Sequence, residues 1–373
     1  MNKAFLGVYR SFPPPLQDFL LTMYGARLAH ERFGGRYREY VQLLSATERF
    51  SRGDLEAYQD ERLRLVVSHA YETVPYYRRR FDDHGVKPGD IRNRSDLHKL
   101  PLLTRDDVRV HFEDLRSRAV PRRTLRMGHT SGTTGTPLTV GYDRDTVCLT
   151  YAVFDRHYRW AGLTFGRGGD RVAVLRGNVV VPLTERRPPF WRRNRWQNQL
   201  LLSSFHLSPA NLPAYLCELE RFDPEAVDGY PSTLFVLAKY LQRVGRFFPV
   251  RAAITSSETL FDFQRDLIEE RFRCRVFDYY ALAERVAFSH ECDRHAGHHL
   301  AMEYALSEVV DGTGEPVPAG VTGRLVGTTL HNLAMPLIRY VTTDMTSLRD
   351  DPCSCGRAHA LMGDVTTKAE DLL

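Results

Sequence analysis

The hydrophobic pattern changes character along the chain. Over the first 110 residues, apolar positions recur at helical spacing. Residues 16–28 form one such stretch. Residues 55–77 form another, with Leu63, Val66, Val67, Ala70 and Val74 on one stripe. That period buries one face of a helix. Pro75 ends the second helix, because the residue before a proline leaves the α region. From about Leu125, short β-rich runs appear at 138–142, 171–175, 226–229, 252–256 and 276–280, with helices predicted at 232–244 and 260–272 between them. The last 80 or so residues read as antiparallel strands at 306–310, 323–329 and 337–340, with turns around Gly312, Gly314 and Pro316. Strand and helix in alternation predict an α/β fold of layered mixed sheets with flanking helices and a C-terminal β subdomain.

Composition narrows the function. With 43% hydrophobic and 26% charged residues in 373, the chain is too apolar for a disordered protein. No apolar run reaches the ~18 residues of a membrane span. Residues 1–10 lack a signal-peptide pattern, so a reducing cytoplasm is the expected location. Lys and Arg number 51 against 46 acidic residues, a mild +5. The arginine runs at Arg78 to Arg80, Arg186-Arg187 and Arg192-Arg193 read as solvated surface. No basic and aromatic residues interleave as in a nucleic-acid module. Six cysteines do not make a disulfide scaffold. Cys148, Cys217 and Cys274 read as isolated, buried, small apolar residues.

The most informative stretch is Thr130-Ser131-Gly132-Thr133-Thr134-Gly135-Thr136-Pro137. Two glycines allow a tight turn and close approach to a ligand, and five hydroxyls surround them. Hydroxyls plus backbone N–H groups suit a polyphosphate. A polar hairpin turn fits the same residues, and the Gly-Lys-Ser/Thr of a Walker A loop is missing.

The run resembles the phosphate-binding loop of the adenylate-forming superfamily, the acyl-CoA ligases and adenylation domains. Thr136, where that loop usually has Lys, is similar to the branch around phenylacetate-CoA ligase and the CapK-like proteins. Further segments resemble that branch, in its order: Val74-Pro75-Tyr76-Tyr77-Arg78, Leu100-Pro101-Leu102-Leu103-Thr104, Pro188-Pro189-Phe190-Trp191-Arg192, Asp228-Gly229-Tyr230-Pro231-Ser232 and Ala334-Met335-Pro336-Leu337-Ile338-Arg339-Tyr340. The resemblance implies a helical N-terminal segment of the large domain at 1–110, an adenylate-forming core at 111–285, a β-rich subdomain at 286–366 and a hinge remnant at 367–373.

It also implies roles. Thr130, Thr133 and Thr134 of the loop are expected to be catalytic, with Ser131, Gly132, Gly135 and Thr136 binding ATP. Ser257 and Glu258 lie where the family has a segment beside the adenine. Read alone, Ser256-Ser257-Glu258 could equally cap a helix. Tyr280-Ala281-Leu282-Ala283-Glu284 resembles Tyr-Gly-x-Thr-Glu, in which Tyr packs on adenine, Thr touches the α-phosphate and Glu holds Mg²⁺. Tyr280 and Glu284 match, whereas Ala281 and Ala283 do not. Arg339-Tyr340-Val341-Thr342-Thr343-Asp344 resembles Arg-Tyr-x-Thr-Gly-Asp, making Asp344 the carboxylate for the ribose hydroxyls. Lys368-Ala369-Glu370-Asp371 lies where the family has its Gly-Arg-x-Asp-Asp hinge, with Lys368 in the place of the hinge Arg. The family's small C-terminal domain and its adenylation Lys have no counterpart in this sequence.

Cys292, His295, His298, His299, Cys353 and Cys355 suggest metal. Three thiols and one histidine make a closed, structural zinc set. Three free thiols fit the spacing too. The CapK-like branch has a matching Cys, a His in a Gly-x-His context and a Cys-x-Cys-Gly-Arg segment. This implies Cys292, His299, Cys353 and Cys355 as ligands, with His298 as fallback and His290 and His295 at the surface.

The implied activity is ATP-dependent adenylation of a small carboxylic acid, aromatic by analogy, to an acyl-AMP that passes to coenzyme A or another acceptor. The acid is expected between Tyr230-Pro231-Ser232 and Ser256 to Glu258. A homodimer is the analogy for assembly. The rival reading is a non-catalytic or partner-dependent nucleotide-binding homologue, favoured by Ala281, Ala283 and the altered hinge. An acyl transferase that never uses ATP is opposed by the phosphate loop and Asp344.

Overall fold

The computed structural model describes residues 9, 12–130 and 137–365, and the backbone of 367 and 368. They divide into two compact units, one within 1–33 and 157–279, the other within 34–156 and 280–373.

The first unit is built on a twisted sheet whose strands follow the order Arg275–Ala281, Ala252–Ser256, Ala226–Gly229, Val172–Leu175, Gln199–Leu202 and Trp191–Asn194. All neighbours are parallel except the last pair, which is antiparallel. Inner strands of such a sheet are covered on both faces and need near-continuous apolar sequence. Ala173, Leu175, Val227, Ala253 and Val276 pack with helices Leu212–Phe222, Pro231–Arg243 and Asp262–Phe272. Val172, Val174, Ala226, Ala252, Ile254 and Phe277 pack on the other face with Tyr158, Ala161 and Leu163.

The second unit combines helices with antiparallel β-structure. Helix Arg52–Thr73 starts at a capping box, where Ser51 accepts from the Asp54 N–H and Asp54 accepts from the Ser51 N–H. Its stripe of Leu63, Val66, Val67 and Ala70 is buried. The helix ends before Pro75, which opens helix Pro75–Asp83. Strands Ala305–Val310, Gly323–Thr329, Tyr340–Thr346 and Thr367–Lys368 form one antiparallel sheet. Strands Phe288–Glu291, His298–Leu300, Leu361–Met362 and Leu348–Arg349 pair antiparallel in that order. Arg126–His129 and Thr139–Tyr142 form a hairpin.

The architecture is α/β with mixed sheets and flanking helices, as the pattern predicted. No helix among the described residues is long and apolar enough to cross a membrane. Four local expectations need correction. The strand expected at 337–340 begins only at Tyr340, because Arg339 has φ 52° and breaks the extended path. Arg192 is buried rather than solvated, with its guanidinium on Gln17 and on the carbonyls of Pro189 and Trp191. Cys217 is exposed, whereas Cys148 is buried. His290 is buried within its strand rather than lying at the surface, and His295 is also largely covered beside Glu291.

Candidate functional site

In the second unit, a group of polar side chains converges around Glu284. The convergence starts from local sequence. Thr104 and Asp107 form a capping box that opens the short helix Arg105–Val110. Just before it, the Leu103 N–H donates to the Arg339 carbonyl and its own carbonyl accepts from the Val341 N–H, both at 2.9 Å. Leu103 is thereby stitched to the start of strand Tyr340–Thr346, and Arg105 is held beside Tyr340.

From there Arg105 reaches two expected site residues. Its Nη2 donates to the Thr130 hydroxyl at 3.0 Å, and its Nη1 lies 4.0 Å from Glu284 Oε1. The same Glu284 oxygen accepts from the Tyr340 hydroxyl at 3.0 Å. Burial pushes the Glu284 carboxyl above its ordinary value, against the pull of Tyr340 and Arg105. Gly327 seats this segment from below. A Cβ there would stand 2.3 Å from the Val286 carbonyl oxygen, so only glycine fits.

Thr130 also closes the base of the expected phosphate loop. Its N–H donates to the Leu138 carbonyl, and its hydroxyl accepts from the Leu138 N–H, both at 3.0 Å. Ser131, Gly132, Thr133, Thr134, Gly135 and Thr136 lie outside the described residues.

Tyr280 and Asp344 meet in the same unit. The Tyr280 hydroxyl donates to Asp344 Oδ2 at 2.5 Å. Thr342 holds the backbone behind Asp344, accepting from the Asp344 N–H at 3.1 Å and donating to the Leu325 carbonyl at 2.8 Å. Burial and the neighbouring carboxylate push the Tyr280 phenol well up, so it stays a donor. Strand Thr367–Lys368 places the Lys368 backbone directly opposite Asp344. Ala281 and Ala283 are exposed and offer no side-chain donor.

Ser257 and Glu258 belong to the first unit. Ser257 follows strand Ala252–Ser256 with φ 71°, a left-handed conformation that costs a serine about 1–3 kcal/mol. Glu258 accepts from the Ser232 N–H at 3.1 Å, in the first turn of helix Pro231–Arg243. It thereby takes up a free N–H in the first turn of that helix, whereas the helix that follows it in the chain starts only at Asp262 after Phe261.

The four expected metal ligands also come together. Cys292 follows strand Phe288–Glu291, His299 lies on His298–Leu300, and Cys353 and Cys355 flank a tight turn that ends at Gly356 with φ 80°. Their ligand atoms all lie within 4.8 Å of one another. Cys292 Sγ and Cys353 Sγ are 3.7 Å apart, and Cys355 Sγ is 3.4 Å from His299 Nε2. A tetrahedron with Zn–S of about 2.3 Å and Zn–N of about 2.0–2.1 Å has edges of roughly 3.8 and 3.5 Å, so the donor set fits zinc. The sulfur separation is far beyond a disulfide bond of about 2.05 Å. Side chains alternate along a strand, and so His299 faces the thiols where its neighbour His298 does not. Burial pushes His299 down to about 3, leaving it neutral and able to ligate.

Behind His299 lies an ion pair that the sequence did not reveal. Glu303 is fully buried and accepts from Arg156 at 2.9 Å, from His359 at 3.0 Å and from Thr47. The His359 ring packs edge-on against the His299 ring. Arg105 was missed as well. Its only signal was the Thr104-Arg105-Asp106-Asp107 capping box, which says where a helix starts and not what its side chains reach.

No protein-family model matches the chain. The phenylacetate-coenzyme A ligase of Thermus thermophilus is 32% identical over 349 residues, covering 87% of this chain and 73% of that one. Protein CapK of Staphylococcus aureus is 25% identical over 346 residues, covering 92% and 73%. A solved structure of 2-hydroxyisobutyryl-CoA ligase, in complex with 2-HIB-AMP and CoA, superposes with a TM-score of 0.63 at 20% identity, covering 82% and 72%.

Proposed function

The chain belongs to the phenylacetate-coenzyme A ligase family of adenylate-forming ligases, and from that premise we propose that it joins a small carboxylic acid to AMP and passes the acyl group to coenzyme A or another nucleophile. A carboxylate oxygen of the acid attacks the α-phosphorus of ATP. The bond to the bridging oxygen breaks, and pyrophosphate leaves with the electron pair. The acceptor thiolate, or another nucleophile, then attacks the acyl carbon and AMP departs.

The observation that carries this reading is the convergence of Thr130, Glu284, Tyr340 and Arg105 in one unit. Thr130 anchors the phosphate loop. Arg105 supplies a fixed positive charge at its base, where charge builds on the phosphates as pyrophosphate leaves. It also offers a donor near the loop that Ala283 lacks. Asp344 accepts the ribose hydroxyls, and Tyr280 holds that carboxylate. By the family resemblance, Thr133 and Thr134 are assigned to catalysis and Ser131, Gly132, Gly135 and Thr136 to ATP binding.

Glu284 would be the carboxylate for magnesium, as the family resemblance implies: it is a hard oxygen donor, and magnesium would have to share it with the Arg105 guanidinium 4.0 Å away. Bound there, magnesium supplies a divalent charge for the phosphates. Cys292, His299, Cys353 and Cys355 hold zinc. All four positions are filled by protein, so that metal is structural. A cytoplasmic location, where ATP and coenzyme A are supplied, is part of this proposal.

The test is pyrophosphate release from Mg-ATP with a panel of aryl and aliphatic acids, with hydroxylamine present to trap acyl-AMP. A hydroxamate formed from one acid class is the expected result. ATP binding without pyrophosphate release for any acid would favour the non-catalytic reading instead.

A further inference from the structure

Arg176 sits just past strand Val172–Leu175, at the carboxyl end of the parallel sheet of the first unit. In open α/β sheets this is the edge where ligands bind. Its neighbours come from the carboxyl ends of adjoining strands. Nε donates to Asp228 Oδ1 at 2.8 Å, Nη2 donates to the same oxygen, and Nη1 donates to Ser256 Oγ at 2.7 Å. The other Asp228 oxygen accepts from the Tyr158 hydroxyl at 2.9 Å. The guanidinium lies 5.5 Å from the Tyr279 ring centroid and 6.0 Å from that of Tyr230.

Donor arithmetic gives this cluster a direction. A guanidinium carries five N–H groups and no acceptor. Three are engaged by Asp228 and Ser256. One on Nη1 and one on Nη2 have no protein acceptor among the described residues. Asp228, in contrast, has both oxygens engaged. The side chains are 17% and 12% exposed, so they are reachable but not open to bulk water. The pair therefore presents donors without net charge. A second carboxylate on a ligand would compete with Asp228 and lose its own hydration. A neutral oxygen needs only the two donors.

We propose that Arg176 is a specificity-determining residue that reads a neutral oxygen function, a hydroxyl, ether or ketone, on the acyl part of the acid. The inference rests on the ligase reading, with the acid between Tyr230-Pro231-Ser232 and Ser256 to Glu258. Arg176 touches both segments, through the Tyr230 ring and the Ser256 hydroxyl. It replaces the bare aromatic acid suggested by analogy with an oxygenated one.

The test uses matched acids that differ by one oxygen: phenylacetate against 3- and 4-hydroxyphenylacetate, cinnamate against 4-hydroxycinnamate, and isobutyrate against 3-hydroxyisobutyrate. Direct binding is measured by calorimetry, and turnover by pyrophosphate release, on the full chain. The wild type is expected to favour the oxygenated member of at least one pair by about tenfold or more in Kd. Arg176→Met with Asp228→Leu removes both charges together, and its ratio is expected to fall to about one. Arg176→Lys keeps the charge but not the fork, and covers the case in which the double variant does not fold. Its ratio is expected to drop at least threefold. A wild type that favours the bare member of every pair, or an unchanged ratio in folded variants, overturns the inference and leaves the ligase reading standing. The expected binding ratios without pyrophosphate release overturn the ligase reading and support Arg176. Binding of no acid at all overturns both.

Discussion

Tyr280 donates its phenolic hydrogen to Asp344 across 2.5 Å, fixing the carboxylate that is proposed to take the ribose of ATP. Hydrogen bonds to a charged acceptor are worth about 1.5–3 kcal/mol each, or roughly 10–100-fold in affinity. Asp344→Ala loses both ribose contacts and is expected to weaken ATP binding by about 100-fold or more. Tyr280→Phe keeps the carboxylate and loses only its orientation, so a loss of about tenfold or less is expected. Titration of ATP into each variant checks this, and equal affinity in Asp344→Ala and wild type removes Asp344 from the nucleotide site.

Arg105 is expected to act on phosphates rather than on the acid. Arg105→Ala should lower pyrophosphate release by about 10–100-fold, as loss of one charge-assisted contact implies, while the Kd for the acid stays within twofold. Arg105→Lys retains the charge without the fork and should fall between. Ala283→Thr in the Arg105→Ala background restores a hydroxyl near the phosphates and should recover part of the rate. A shift in acid Kd with unchanged release would place Arg105 elsewhere.

Glu284 makes a prediction in which stability and function move in opposite directions. Burial raises its carboxyl above the ordinary value. A raised carboxyl is protonated more readily in the folded chain than in the unfolded one. The folded state therefore carries no penalty below the unfolded value of about 4.3. The penalty grows as pH rises from there through the raised folded value, and is constant above it. Glu284→Gln removes the ionisation. Without magnesium, the variant should gain in thermal midpoint relative to wild type between pH 4 and pH 8, while Mg-ATP turnover is lost. A gain that does not change with pH contradicts the burial argument.

Much of this was legible because local and global signals agreed. The stripe from Leu63 to Ala70 had one helical period and one buried face. The runs at 226–229 and 252–256 are buried along their whole length, opening on Ala226-Val227 and Ala252-Ala253-Ile254 because both faces of a parallel sheet are covered, and turning polar only towards their carboxyl ends. The metal quartet was legible through the resemblance to the CapK-like branch, since the spacing alone fitted three free thiols as well. What escaped the sequence depends on long-range geometry. Arg105 and Thr130 are 25 residues apart and meet only because Leu103 is stitched to strand Tyr340–Thr346. Arg192 sits in an arginine pair that looks solvated, yet Gln17 and two carbonyls accept it inside. Glu303 and Arg156 carry no pattern at all, since two buried charges far apart in sequence announce each other only in the fold.

The metal quartet predicts about one zinc per chain by elemental analysis. Cys355→Ser or His299→Ala should lose it. Structural zinc contributes of order 10 kcal/mol in small domains. Here it ties the Cys353-Ser354-Cys355 turn to strands Phe288–Glu291 and His298–Leu300, so chelation should lower the thermal midpoint and expose that turn to protease. Stoichiometric zinc that survives both substitutions would place the ion elsewhere.

Glu303 provides the sharpest stability test, because it is fully buried with Arg156. Burial alone would raise its carboxyl. Arg156, His359 and Thr47 outweigh that and hold it well below the usual carboxylate range. The sign follows from the lowered value. The stabilisation is fully present above the unfolded value of about 4.3 and is lost progressively as pH falls from there towards the depressed folded value. Glu303→Gln keeps the shape but strands the Arg156 cation, which should cost about 3–5 kcal/mol at pH 7. Arg156→Met strands the carboxylate instead and should cost a similar amount. Since wild type forfeits its own Glu303 stabilisation in acid, the gap between wild type and Glu303→Gln must narrow below pH 4. Urea unfolding of both chains at pH 7 and pH 3.5 measures it. A gap that is the same at both pH values would mean that Glu303 contributes by packing and not by charge.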